Sequence, residues 1–352
     1  MTNRKCIFIV GMHRSGTSSL TGALQIMGCP LGSKLLGPFS DNPKGFFENE
    51  RVWGVNQKFL EQCGSSWDDP FLSSTPCPPT PNLLEEYRQE IVQIVQEEFR
   101  NKTLFAVKDP RFCMLFPIWK DIFQQLNIST PCIIAVRHPF ESAASLKKRN
   151  NFSMERGILM WMNHMLQAEI VTRDCPRVFT SFDSLLCDPI TELRRISQEL
   201  HITFPKSTEK CVEELTTFFD RDLRHHTKYD EQKNNFLISQ IIDYHSLLCE
   251  AAGAASFPVH LQDQTNRLHS QLIEILSFFY NADISLLFQS NKNETKQLAM
   301  LRREYEEQGK RLQQETSARS NLENLVGHMQ KTKTWRLAEF LRNFISRRTK
   351  QR

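Results

Sequence analysis

The stretch Cys6 to Leu24, CIFIVGMHRSGTSSLTGAL, constrains this chain more than any other. Its five leading apolar residues, Cys6 to Val10, have the length of a buried strand. Gly11 ends the run and Gly16 follows after four residues. Thr17, Ser18 and Ser19 then lead into Leu20, Ala23, Leu24 and Met27, which are spaced as on a helix. A strand, a glycine-bounded loop and a helix N-terminus make a cradle for an anion, because loop amides and the helix dipole both favour negative charge there.

The spacing Gly-x-x-x-x-Gly is that of a nucleoside-triphosphate P-loop, but Thr17 stands where that pattern has lysine. The cation lies inside the loop instead, as Arg14, with His13 beside it. A kinase that grips a γ-phosphate with magnesium would be expected to keep the lysine. The loop is therefore expected to bind a phosphate-like group in another way. The order His-Arg-Ser-Gly-Thr-Ser after a strand resembles the 5′-phosphosulfate loop of sulfotransferases that use 3′-phosphoadenosine 5′-phosphosulfate (PAPS).

Three further apolar runs read as strands: Thr103 to Val107, Pro131 to Val136 and Arg177 to Phe182. Helical patterns lie between and after them, at 50–63, 83–99, from Phe140 onward, at 155–172, 189–200 and 207–219. Strands separated by helices imply an α/β fold with a parallel sheet and a ligand at the carboxyl ends of the strands. Arg14, Lys108, Arg137 and Asp183 each fall at or just past such an end, so three cations are expected to converge on one crevice. The segments 31–49 and 64–81, rich in Gly, Pro, Asp and Ser, read as irregular loops around it.

Arg137 and Ser145, in RHPFESAAS, stand eight residues apart at a strand end and two turns into the next helix. Arginine presents a donor fork suited to phosphate, and a hydroxyl completes the shell. The stretch resembles the 3′-phosphate motif of PAPS-dependent sulfotransferases. SFDSLLCDPITELRRISQEL resembles the family's segment after its fourth strand, and Lys108-Asp109-Pro110 is similar to a motif of tyrosylprotein and related bacterial sulfotransferases. The resemblance covers about residues 5 to 225. It implies PAPS as donor, without a metal. Arg14, Ser15, Gly16, Thr17 and Ser18 would hold the 5′-phosphosulfate, and Arg137 with Ser145 the 3′-phosphate. Lys108 would neutralise the transferring group.

An acceptor hydroxyl needs a general base. Glu48 lies where tyrosylprotein enzymes carry theirs; its other reading is an acid at a helix N-terminus, stabilised by the dipole. Asp109 is the second candidate, set against an ion pair between neighbouring cations. His13 and His138 read as packing residues. The basic run Arg221 to His226 either closes over the nucleotide or ends a solvated helix.

The domain expectation is a sulfotransferase domain at 1–250, a helical and coiled-coil extension at 257–330 and a basic amphipathic tail at 331–352. Leu298, Tyr305, Leu312 and Val326, with Leu301, Leu322 and Met329, form an interrupted heptad seam that would support a homodimer. The tail carries eight Lys or Arg against one Glu, a net of +7, which leaves about −3 for the rest of a chain whose total is +4. The basic character thus belongs to the tail, and nucleic acid is not an expected partner. Trp335, Leu337, Leu341, Phe344 and Ile345 among those cations suit an anionic membrane surface. The tail also resembles a Trp-Arg-Leu tail of bacterial polysaccharide-assembly transferases, which points to a glycan or glycolipid acceptor. Ten scattered cysteines, no leader before the first strand and no run of about 18 apolar residues suggest a cytoplasmic protein, peripheral at the membrane at most. The alternatives are an atypical P-loop kinase and an inactive nucleotide-binding scaffold.

Overall fold

The computed structural model describes residues 4–37, 45–69, 79–219, 236–253 and 257–281, and the single residue Gln308. The chain divides into two compact units, Met1–Tyr280 and Asn281–Arg352, and the first carries the sheet. Apart from Gln308, the heptad stretch and the basic tail lie outside the described residues, as does Arg221 to His226.

Strand β1 (Arg4–Val10) is flanked by α1 (Thr17–Ile26), and α2 (Glu50–Gln62) and α3 (Pro81–Phe99) follow. Strand β2 (Leu104–Lys108) leads into α4 (Phe112–Gln125), then the two-residue β3 (Ile128–Ser129) and β4 (Cys132–Val136). Helices α5 (Pro139–Asn150) and α6 (Met154–Val171) precede β5 (Arg177–Ser181), and α7 (Phe182–Cys187) and α8 (Pro189–Glu199) come next. A 3₁₀ turn (Thr208–Cys211), α9 (Val212–Phe218), α10 (Phe236–Gly253) and α11 (Leu261–Asn281) complete the unit.

The sheet is parallel, in the order β2-β1-β4-β5, with β3 pairing the start of β1. The expected α/β class and all four expected strands are present. Strand β1 is buried on both faces, as a parallel strand covered by helices must be. Cys6, Phe8 and Val10 join one core with α4, α6, α10 and α11, while Ile7 and Ile9 join a second with α1, α8 and α9. Phe8 sits edge-on to Phe112, Phe116 and Phe123 at 4.9, 5.0 and 5.2 Å between ring centres.

Helix α4 was not among the expected elements, nor was α10. Leu261, Leu268, Leu272 and Leu276 of α11 are buried in the same core as β1. The boundary expected near 250–257 falls between two helices that both pack into this core. No helix among the described residues is long and apolar enough to cross a membrane.

The chain leaves β1 for β2 on one side and returns to β4 on the other. That reversal opens a crevice at the carboxyl ends of β1 and β4. Gly11 sits at its base with φ 148°, and a Cβ there would lie 2.8 Å from the carbonyl oxygen of Ala135 in β4. Only glycine lets the two strand ends approach so closely.

Candidate active site

The crevice is a cleft of about 740 Å³ lined by the glycine loop, the approach to α2, the end of β2 and the end of β4. His13 to Ser19, apart from Ser15, line it, with Glu48, Lys108, Arg111, Arg137 and Arg149. The sheet thus brings the three expected cations, Arg14, Lys108 and Arg137, to one edge. Asp183 falls in the first turn of α7 and is not among the lining residues.

Gly16 caps α1 with φ 86° and offers no side-chain acceptor to the helix. Thr17, Ser18 and Ser19 therefore sit in the cleft at the positive end of the helix dipole. A Cβ on Gly16 would come within 2.4 Å of the Phe182 ring. Gly16→Ala combines that clash with a left-handed backbone, which alone costs about 1–2 kcal/mol. It is expected to lower stability by at least that amount in a denaturant titration, and to weaken anion binding in a calorimetric one.

Arg14 also has a left-handed backbone, φ 69°. Its Nε donates to Ser145 Oγ at 2.7 Å. Arg137 donates from Nη1 to the Arg14 carbonyl at 3.1 Å and from Nε to Glu141 at 2.8 Å, with its guanidinium over the Phe182 ring. The arginine of the loop thus reaches the serine of the second expected anion site, and the two sites adjoin. Ser15 Oγ and Ser142 Oγ meet at 3.4 Å, both buried.

Glu48 and Lys108 form a buried ion pair. Lys108 Nζ also lies 3.4 Å from Ser18 Oγ and 3.3 Å from the Phe46 carbonyl. Asn49, not Glu48, caps α2, accepting from the amides of Arg51 and Val52. Burial pushes the Glu48 carboxyl above its ordinary range while the Lys108 ammonium pulls it down. Asp109 is committed elsewhere. It accepts from Arg111 Nε at 2.8 Å and Nη2 at 2.7 Å, and from Asn56 Nδ2 at 2.8 Å.

His13 packs against Trp67 with the rings tilted by 49° and their centres 4.3 Å apart, and Arg149 covers the Trp67 ring at 5.2 Å. Burial, with Arg149 and His164 nearby, keeps the His13 imidazole neutral, well below 6.5. His164 behind it donates from Nδ1 to the Met160 carbonyl and is lowered by burial from 6.5 to about 4. The unfolded chain binds this proton near pH 6.5 and the folded one only near 4. Stability should therefore fall as pH drops through that window, by up to about 3 kcal/mol from this group. Urea midpoints measured between pH 7 and 4 should show the fall, and His164→Gln should reduce it, with His13 and His245 carrying the remainder.

Arg111, Arg149, Trp53 and Trp67 belong to the lining but were not expected there. Arg149 was within reach: it stands four residues after Ser145, on the same face of a helix the sequence shows. Among the described residues no His, Cys, Asp and Glu side chains group as a metal site would require.

Among solved structures the chain is similar to the sulfotransferase domain of the Synechococcus olefin synthase, at 16% identity and a TM-score of 0.40, over 78% of this chain and 95% of that one. It is also similar to the sulfotransferase STF9 from Mycobacterium avium, at 14% identity and 0.37, over 78% and 77%. A retinol dehydratase in complex with androsterone and the inactive cofactor PAP matches at 10% identity and 0.32, over 76% and 80%. No protein-family model and no curated protein matches the chain.

Proposed function

We propose that the chain transfers a sulfuryl group from PAPS to a hydroxyl acceptor in this cleft. The observation that carries the reading is the meeting of Arg14, Lys108 and Arg137 from three strand ends at a glycine loop, beside the buried carboxylate of Glu48. The residues fit a doubly anionic nucleotide. Arg14 with Thr17 and Ser18 suits a 5′-phosphosulfate, and Arg137 with Ser145 suits a 3′-phosphate. Each charge-assisted bond is worth about 1.5–3 kcal/mol. The donor supplies the activated sulfuryl group.

The chain's own work is charge and proton management. Lys108 would supply the ammonium that negative charge on the transferring group and the leaving phosphate oxygen needs. Arg14 keeps its proton at any working pH, so it can bind but not donate an acid proton. Glu48 is the base that would take the acceptor's hydroxyl proton. Asp109, held by Arg111 and Asn56, has no free role there. A glycan or glycolipid remains the proposed acceptor class, supported by the sequence of the tail.

The test is thermal stabilisation by 3′-phosphoadenosine 5′-phosphate (PAP) against ATP with magnesium, followed by radiosulfate transfer to extracted glycans. PAP should stabilise and ATP should not; the reverse result would move the chain to the kinases. In the same assay Arg137→Ala should weaken PAP and leave adenosine 5′-phosphosulfate unchanged. Equal loss for both would give Arg137 a purely structural role, holding the loop through Glu141 and the Arg14 carbonyl.

A further inference from the structure

The Lys108 ammonium has acceptors on two different pieces of chain. Glu48 and the Phe46 carbonyl belong to the approach to α2, and Ser18 belongs to the glycine loop. An ammonium on a four-carbon stem can redistribute its three donors among them. Glu48 is carried on a backbone held at several points. Its carbonyl accepts from the Leu36 amide at 2.8 Å, and the Glu50 amide donates to Lys34 at 3.0 Å. Asn49 is tied to α2 and to Glu98. Phe47 before it is held at φ 56° and Gly45 at φ 94°.

Resting on the sulfotransferase reading, we propose that Lys108 is a two-position switch. It holds Glu48 until an oxyanion enters the glycine loop; it then turns to that anion beside Ser18 and leaves Glu48 a buried carboxylate without its cation. The base is thus released by the donor, and an acceptor arriving first meets a carboxylate already paired.

The charged groups that act on Glu48 are Lys108 at the end of β2, and Asp109 and Arg111 in the turn after it. Arg111 cannot replace Lys108. It is bound to both Asp109 oxygens, to Gln57 Oε1 and to the Trp53 carbonyl. Asp109 adds negative charge, which makes the proton more welcome on Glu48. His13 lies near Lys108 and Arg111, and those cations help to keep it neutral. When Lys108 leaves, burial is no longer opposed by its strongest counterweight. The proton affinity of Glu48 then rises, and a base whose affinity lies nearer the working pH is the more effective one.

The experiment is calorimetric titration of the full chain with PAP near pH 7, in buffers of different ionisation enthalpy. PAP binding is expected to take up a fraction of a proton, since the raised affinity protonates part of the Glu48 population and leaves the rest ionised as the base, and Glu48→Gln is expected to bind PAP while losing that uptake. PAP binding without buffer dependence overturns the switch, as does uptake that persists unchanged in Glu48→Gln. If PAP fails to bind, the nucleotide reading falls by itself, and inorganic pyrophosphate becomes the probe. Glu48-dependent uptake on pyrophosphate binding upholds the switch, and its absence ends it.

Discussion

Lys108→Ala is expected to slow sulfuryl transfer about 10²–10³-fold in kcat, the usual loss when one fixed donor to a developing charge is removed. The neighbouring cations are already engaged. Arg137 is paired with Glu141, Arg14 bonds Ser145 and Arg111 is spent on Asp109. Among the described residues no other cation is placed to take over beside Ser18 and Glu48. The affinity for PAP should fall much less than kcat, because Arg14 and Arg137 stay. Lys108→Arg should recover little, since a planar fork does not repeat the geometry of a compact ammonium in a pocket where Lys108 is 3% exposed. Single-turnover and steady-state rates with a saturating donor make the comparison. A rate equal to that of the parent chain would remove Lys108 from the chemistry. A loss confined to PAP affinity would make it a binding residue only.

Glu48, left without its partner in that variant, need not wreck the fold. Burial already raises its carboxyl, so it can become neutral by taking a proton. The unfolding midpoint of Lys108→Ala should accordingly depend on pH: where Glu48 must ionise, stability is lost, and where it is protonated the loss is smaller. That dependence separates a catalytic defect from a folding defect in one protein.

Much of this cleft was legible in the sequence, for an identifiable reason. Apolar runs such as CIIAV declare strands, and a parallel sheet gathers strand ends on one edge, so Lys108 and Arg137 could be brought together without coordinates. The paths of the loops beyond those strand ends were not legible. That Arg14 reaches Ser145 depends on a left-handed backbone at a non-glycine residue, which composition does not signal. The Lys108–Glu48 pair joins positions 60 residues apart through a loop of irregular path. Helix α4 was hidden for a different cause. Pro117 reads as a break in the sequence although the helix runs through it, and this outweighs the helical period of its buried residues Phe112, Leu115, Phe116, Trp119, Ile122 and Phe123. The α11 leucines were visible as a stripe, but a stripe does not say which core it will join.

The largest stability effect is expected at Asp109. Around it the floor of the cleft is one buried network. Asn56 donates to Asp109, Tyr87 donates its hydroxyl to Asn56 Oδ1 at 2.6 Å, and Trp119 Nε1 lies 2.8 Å from the Tyr87 oxygen. These side chains come from α2, α3 and α4, so the network ties three helices to the end of β2. Asp109→Ala leaves the Arg111 guanidinium buried without its carboxylate, and breaking one side of such a pair costs about 3–5 kcal/mol. Asn56→Ala leaves the Tyr87 hydroxyl without its acceptor and Asp109 without one of its donors, for about 1–3 kcal/mol. The double change Asp109→Ala with Arg111→Met should be less damaging than Asp109→Ala alone, because no charge is then stranded. Denaturant unfolding of the three variants tests the order. If Asp109→Ala unfolded like the parent chain yet lost sulfuryl transfer, Asp109 would displace Glu48 as the base. If both properties fell together and the Arg111→Met change restored stability, Asp109 would be the foundation on which Lys108 and Glu48 stand.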